Sequence, residues 1–158
     1  MLDTLDRVLG RLIEAGRWLV LPVALILFLQ WPLRDFVQWG SREANDLGQW
    51  TFALYVSLAV TYATRERAHL AVDAIAHDYP PKLQAALARW GALLFVAPWS
   101  LFMIWTVEPT VMRSLLALER FSETNNFGYF LIKIACLLLA VLALIQTLLD
   151  FLRRPARN

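Results

Sequence analysis

The sequence predicts an all-helical integral membrane protein with four transmembrane helices. Of its 158 residues, 59% are hydrophobic and 18% are charged, and the mean hydropathy of +0.51 is too high for an ordinary soluble domain. Four apolar stretches are each long enough to cross a bilayer, which requires about 20 residues of helix. The formal net charge of +2 is too small for a surface that binds nucleic acid, so we expect no nucleic-acid partner.

We expect one membrane domain over residues 1–158. Its predicted elements are an interfacial helix (1–17), span one (18–39), span two (47–64), a connector helix (65–79), span three (88–112) and span four (127–152). In residues 1–17, apolar side chains such as Leu5, Leu9 and Leu12 recur opposite charged ones, which predicts an amphipathic helix in the cytoplasmic membrane interface. Ten Lys and Arg residues flank the spans on the side of the termini and four on the other. Both termini and the connector are therefore predicted to be cytoplasmic.

The connector helix carries a stripe of polar residues on one face. Arg65, His69, Asp73 and His77 follow one another at intervals of four residues. Three interpretations remain open for this stripe: a solvated face with local ion pairs, a structural role in which it fixes the loop or meets a partner subunit, and a metal site. No Cys, third His or Glu is evident to complete a metal site, so we expect no metal or cofactor.

Charged residues are almost absent from the middle of the predicted spans. Glu108 and Asp150 lie near span ends, and Lys133 lies one to two turns inside span four. We expect Lys133 to snorkel or to pair with Glu108; contact with a partner or a lipid headgroup is the alternative. A carrier that works alone usually needs ionisable groups or broken helices near the bilayer midplane. The chain also lacks a phosphate loop and a nucleophile elbow, so we expect a subunit and not an enzyme.

Two motifs resemble a known transporter family. The first is Glu43-Ala-Asn-Asp-Leu-Gly48 at the start of span two, and the second is Arg65-Glu-Arg-Ala-His69-Leu-Ala-Val-Asp73, followed by Pro80. Together with the four-span layout, they resemble the small membrane subunit of tripartite ATP-independent periplasmic (TRAP) transporters. The segment Ser122–Gly128 departs from that family's usual Pro-rich opening of span four.

The resemblance implies an accessory subunit in a bacterial inner membrane. In that family a large membrane subunit holds the substrate and sodium sites, and a periplasmic binding protein delivers an organic acid. The small subunit packs on the scaffold of the large one and helps to dock the binding protein; we also expect contacts with membrane lipids. By match to the motif, Glu43, Gly48, Arg65, His69 and Asp73 are expected at structural or partner interfaces, and we add Lys133.

Two hypotheses about surfaces follow from these expectations. Arg65, His69 and Asp73 are predicted to form a polar cluster at the cytoplasmic membrane edge that holds the connector and the large subunit in register. The outer loops around 42–46 and 113–123, which carry mixed charges, are predicted to help dock the binding protein.

Three other functions remain as alternatives. They are a membrane anchor of a respiratory enzyme, the small subunit of a tripartite tricarboxylate transporter, and a self-contained exporter. The exporter would need an acidic residue in the middle of a span, which the sequence does not offer.

Overall fold

The computed structural model describes residues 2–37, 42–65 and 79–152. Within these ranges the backbone is helical, and the loop before the last helix adds one isolated bridge between Arg120 and Phe127. The all-helical prediction is therefore confirmed. The helices are α1 (Leu2–Gly16), α2 (Val20–Val37), α3 (Arg42–Arg65), α4 (Pro81–Gly91), α5 (Ala97–Leu116) and α6 (Tyr129–Leu152), with a 3₁₀ turn (Arg17–Leu19) between α1 and α2 and a π-helical segment (Ala92–Val96) between α4 and α5.

Three helical runs in the described part of the chain are long and apolar enough to cross a membrane. They are Thr4–Gln30 with 27 residues, Lys82–Leu116 with 35 and Tyr129–Leu152 with 24. The second run contains predicted span three, and the third covers predicted span four except for its first two residues. The first run shares only residues 18–30 with predicted span one, and the rest of it lies in the predicted interfacial helix. Helix α3, which contains predicted span two, is not among them because it holds more polar residues.

Helix α3 buries three hydroxyl side chains inside the bundle. Thr51, Ser57 and Thr61 are buried. Their hydroxyl groups donate to carbonyl oxygens one turn earlier in the same helix, at Leu47 (2.6 Å), Leu54 (2.8 Å) and Ser57 (3.0 Å). These bonds satisfy the hydroxyls without a partner on another helix. Because the side chains are short, they also let neighbouring helices approach closely.

Helices α1 and α2 run antiparallel to α3 along most of its length. Gly10 lies against the guanidinium of Arg65, Gly16 against Leu58, and Gly48 against Ile26. The residue numbers rise on one side as they fall on the other, which fixes the direction. On its other side α3 packs against α6, and α6 in turn packs against α5.

The N-terminal helix contributes to the core of the bundle. Leu9 and Ile13 are buried in a cluster with Leu58, Leu142 and Leu149. The sequence predicts that α1 lies in the membrane interface, and this position stays a prediction. In the structure Leu9 and Ile13 pack against α3 and α6, while Leu5, Val8 and Leu12 on the flank of the same face are exposed.

The interface between α5 and α6 is formed partly by small residues. Ala97, Ser100 and Ser114 are buried on α5, and Ala135 and Ala140 are buried on α6. Small side chains allow two membrane helices to approach closely where no hydrophobic driving force acts between them.

A proline explains the π-helical segment that precedes α5. Pro98 has no amide N–H, so it cannot donate to the carbonyl four residues earlier. In the preceding turn the amide of Ala97 donates to the carbonyl of Ala92, five residues back. A π-helical turn of this kind is one of the usual ways in which a helix accommodates an interruption.

Substituting Gly16 tests the packing of α1 against α3. A Cβ built on Gly16 would lie 3.0 Å from the Cβ of Leu58 and 3.1 Å from its Cγ. Because this is closer than carbon atoms normally pack, Gly16→Ala should lower the free energy of unfolding by about 1–3 kcal/mol. Thermal unfolding in detergent would measure the change. Gly91→Ala is the matched control, since nothing lies within 4 Å of its built Cβ, and it should be neutral or slightly stabilising. Equal behaviour of the two variants would contradict the packing.

Candidate functional site

The charged side chains of α3, α4, α5 and α6 lie toward the two ends of the bundle. We call one the Arg65 end, which contains Arg65, Arg89 and Phe151, and the other the Asp46 end, which contains Asp46, Glu119 and Lys133. Between these ends no Asp, Glu, Lys, Arg or His occurs in residues 47–64, 92–107 or 134–149. The arrangement therefore offers no charged site in the middle of α3, α5 or α6.

At the Arg65 end, Arg65 forms a two-pronged ion pair with Asp6 of α1. Its Nη1 donates to Oδ1 at 2.7 Å and its Nη2 to Oδ2 at 3.0 Å. The Arg65 side chain is 26% exposed and that of Asp6 13%. The guanidinium also lies against Gly10 of α1. The two hydrogen bonds match the planar guanidinium to the carboxylate, and they link the end of α3 to the N-terminal helix.

The sequence predicted a different set of partners for Arg65. His69 and Asp73, the other members of the expected cluster, lie outside the described residues, as does His77. Asp6 was missed because it lies 59 positions away in the chain. The available signal was its place on the charged face of an amphipathic helix, but that pattern alone does not tell a solvated carboxylate from a paired one.

A second contact at the Arg65 end joins α4 to the last turn of α6. The guanidinium of Arg89 donates to the carbonyl oxygen of Phe151 and lies 4.6 Å from the centroid of its ring. The ring of Trp90 meets the same phenyl ring edge-on, with centroids 5.2 Å apart. These contacts fix where the run from α4 to α5 enters the bundle.

At the Asp46 end, the carboxylate of Asp46 holds the loop between α5 and α6. Asp46 is buried and accepts hydrogen bonds from the hydroxyl of Thr124 and, at 3.2 Å, from the amide Nδ2 of Asn126. Thr124 and Asn126 lie in Ser122–Gly128, the segment that departs from the family pattern. The departure therefore has a local explanation: these residues supply the partners of Asp46. Asp46 belongs to the first motif, in which the sequence predicts interface residues only at Glu43 and Gly48.

Glycines at this end allow close backbone approaches. Gly48 is buried, and a Cβ there would lie 3.3 Å from a methyl carbon of Ile26. Gly128 has a φ of +127°, which strongly favours glycine, and lies against the indole of Trp50. Gly48, which the sequence predicts at an interface, therefore packs against Ile26 of this same chain. Glu43 lies in the first turn of α3, and its side chain is exposed.

Lys133 pairs with Glu119, and the predicted pair with Glu108 is not formed. The Nζ of Lys133 and the hydroxyl of Ser114 both donate to Oε2 of Glu119. Glu108 is exposed on α5. Glu119 reaches Lys133 because the chain turns back after α5, where Leu118 takes a positive φ of 45° and the amide of Glu119 bonds to the carbonyl of Ser114. A partner placed by a loop cannot be found by counting helical turns.

The same contacts explain the acidity of Glu119. The hydrogen bond from Lys133, then that from Ser114, holds the pKa of the Glu119 carboxyl below its ordinary value of 4.5. Both partners favour the ionised form, and they outweigh the opposite effect of burial. The ion pair therefore anchors the loop to the start of α6.

No metal-binding group emerges in residues 2–37, 42–65 and 79–152. These ranges contain no set of three or more His, Cys, Asp or Glu side chains that could hold an ion. Cys136 is an exposed free cysteine on α6.

A comparison with known families decides the identity of the chain. Residues 17–157 match the family model described as tripartite ATP-independent periplasmic transporters, DctQ component. The chain belongs to the DctQ family. It is therefore a small membrane subunit of a TRAP transporter, and it is an integral membrane protein and not an enzyme. No curated protein and no solved structure matches it.

The DctQ family match also bears on the alternatives. DctQ proteins are components of transporters that also contain a large DctM subunit and a substrate-binding protein. The match therefore favours the TRAP assembly over a respiratory anchor, a tricarboxylate-transporter subunit or an exporter that works alone.

Replacing Arg65 by Lys tests the ion pair with Asp6. Lysine keeps the positive charge but cannot make two parallel hydrogen bonds to one carboxylate. Because the pair is mostly shielded from solvent, Arg65→Lys should lower the free energy of unfolding by about 1–3 kcal/mol, measured by thermal unfolding in detergent. Arg11→Gln, at an exposed position on the same helix as Asp6, is the control and should change it little. If Arg65→Lys unfolds like the wild type, the two-pronged pair does not hold α3 to α1.

The lowered pKa of Glu119 predicts a specific dependence of stability on pH. At pH values above 4.5, the ordinary pKa of this carboxyl, the ionised Glu119 stabilises the folded chain. This contribution is lost as the pH falls through the lower pKa of the folded state. Thermal unfolding between about pH 7 and pH 3 should therefore show an acid-induced loss in the wild type that is smaller in Glu119→Gln. Glu123→Gln, in the same loop but exposed, should keep the loss of the wild type. An identical acid profile for all three proteins would show that Glu119 is not held by Lys133.

Proposed function

We propose that the chain is the accessory small subunit of a sodium-gradient-driven, binding-protein-dependent TRAP transporter that takes up an organic acid. The match to the DctQ family over residues 17–157 carries this proposal. The absence of charged residues from the middle of α3, α5 and α6 supports an accessory role, because a carrier that binds a charged substrate usually needs ionisable groups there. In this proposal the large subunit binds both.

We propose that α3, which contains predicted span two, also crosses the membrane, so that the protein has four spans. We further propose that both termini lie in the cytoplasm of a bacterial cell. Helix α3 runs antiparallel to α2 and is flanked by α6, so apolar neighbours can shield its buried hydroxyls from lipid. The excess of Lys and Arg that the sequence carries beside the termini and the connector supports the orientation. The predicted outer loops then lie at the Asp46 end.

A groove across α6 is our candidate surface for the large subunit. It is formed by α3, the π-helical segment, α5 and α6, has a volume of about 390 Å³, and is lined by Val60, Thr64, Phe95, Val96, Trp99, Leu139 and Ala143. Trp99 faces Leu139 and Ala143 in the middle of α6 and is 48% exposed. Lipid-facing tryptophans normally lie at the headgroup level. A half-exposed indole at mid-span therefore favours contact with another protein.

The exposed loop side chains at the Asp46 end are our candidate surface for the binding protein. Arg42, Glu43, Arg113, Arg120 and Glu123 are exposed there, with both signs of charge present. The guanidinium of Arg120 lies 3.6 Å from the centroid of the Phe127 ring and donates to the carbonyl of Asn125. The Asp46 hydrogen bonds hold this loop in one conformation, and a preorganised surface loses less entropy on docking.

We retain the connector segment as a second contact with the large subunit. Arg65 is paired with Asp6, so the structure supports a structural role for Arg65 within this chain. His69 and Asp73 remain the residues through which the connector would meet the partner.

Reconstitution into liposomes tests the function. With a sodium gradient, the matching large subunit and binding protein, this chain should support uptake of at least one member of a labelled panel of dicarboxylates, sialic acid and sugar acids. The chain alone should transport none of them, because its spans lack a midplane site. Flux from the lone chain, or equal uptake without it, would contradict the proposal.

The same assay tests the groove. Trp99→Ala should reduce both co-purification of the large subunit and uptake by about tenfold or more, as expected for a buried aromatic anchor. Phe28→Ala, which removes a 74% exposed aromatic residue from α2, is the control and should leave both unchanged. Loss with Phe28→Ala and not with Trp99→Ala would place the partner on α2.

A further inference from the structure

A second groove lies on another part of the bundle, where α1 passes through the 3₁₀ turn into α2. It has a volume of about 390 Å³ and is open on one side. Its lining is mostly apolar and comes from both sides, with Ile13, Trp18 and Leu21 on the first run and Tyr55, Leu58 and Tyr62 on α3. Ala59, the smallest lining residue, leaves space that a larger side chain would fill.

A cation lies in the lining of this apolar groove. Arg17 contributes to the lining, and its side chain is 56% exposed. Its nearest acidic partner is Glu14 at 3.9 Å, with a side chain that is 68% exposed. An ion pair this long and this exposed contributes little. The guanidinium of Arg17 and the carboxylate of Glu14 therefore keep most of their hydrogen-bonding capacity for a ligand, in contrast to the Arg65–Asp6 pair.

The depth of Arg17 in the bundle makes an anion a fitting ligand. Gly16 lies opposite Leu58, seven residues before Arg65, so this level is about 10 Å along α3 from the Arg65 end. Trp18, Tyr55 and Tyr62, which combine an apolar ring with a polar tip, surround the same level. This is the combination found where acyl chains meet headgroups.

We propose that this groove binds one aminophospholipid molecule. An acyl chain lies along Trp18, Leu21 and Tyr55, the phosphate accepts hydrogen bonds from the guanidinium of Arg17, and the ammonium group lies near Glu14. Guanidinium and phosphate match in shape and charge. The neighbouring carboxylate of Glu14 repels a purely anionic headgroup and attracts a zwitterionic one, so the pair selects phosphatidylethanolamine over phosphatidylglycerol.

Native mass spectrometry can test the site on the whole chain. The protein is exchanged into nanodiscs of phosphatidylethanolamine and phosphatidylglycerol in equal amounts, released, and scored for retained lipid. The wild type should retain one phosphatidylethanolamine molecule in preference to phosphatidylglycerol. Arg17→Gln should reduce retention of both lipids by about tenfold, and Arg17→Lys should recover part of it.

Two further variants separate the headgroup from the chain. Glu14→Gln should abolish the preference between the two lipids while keeping retention. Ala59→Leu fills the groove with all charges in place and should reduce retention of both lipids. Arg11→Gln, an exposed cation one helical turn or more away, should behave like the wild type.

The outcomes that overturn the site are distinct from those that overturn the proposed function. Retention that is unchanged in Arg17→Gln and Ala59→Leu, or a retained lipid mixture equal to that of the nanodisc, would remove the lipid site and leave the transport assay unaffected. Displacement of the lipid when the large subunit binds would show that a protein covers the groove instead. If Ala59→Leu does not fold, Arg17→Gln and Glu14→Gln still decide the question.

Discussion

The structure depends on keeping one comparatively polar helix away from lipid. Helix α3 carries buried Asp46, Thr51, Ser57 and Thr61, and exposing such groups to hydrocarbon is costly. Its hydroxyls bond to carbonyls of α3 itself, and α1–α2 on one side and α6 on the other cover it. The order of the helices across the bundle follows from this requirement, as does the recruitment of Leu9 and Ile13 from α1 into the core.

Both ends of α3 are fixed by contacts that are distant in sequence. Asp6 holds its last residue, Arg65, while Thr124 and Asn126 hold Asp46 in its second turn. A helix held at both ends and packed against α1, α2 and α6 is suited to a static part of a transporter. This agrees with the proposal that the large subunit holds the moving and binding parts, since α3, α5 and α6 lack charged residues at mid-depth.

The sequence predicts the apolar helices α5 and α6 well because their signal depends on composition alone. It places span one too late, because the first apolar run already begins at Thr4. It predicts ionic partners poorly, since Arg65 and Asp6 are 59 positions apart and Asp46 and Thr124 are 78 apart. Lys133 shows the reason most clearly. If only the positions of residues along the helices are considered, Glu108 is a reasonable partner for Lys133. The turn after α5 brings Glu119 to Lys133 instead. The two grooves also depend on side-chain packing between helices, for which the sequence has no periodic signal.

Cysteine accessibility tests most directly whether α3 crosses the membrane. In a Cys136→Ser background, single cysteines replace Asn45, exposed at the Asp46 end, and Lys82, exposed on α4 after the connector. In intact cells, a membrane-impermeant maleimide should label Asn45→Cys, whereas Lys82→Cys should be labelled only after the membrane is permeabilised. Labelling of both positions from the same side would mean that α3 does not span the bilayer, and the account of a shielded polar helix would be wrong.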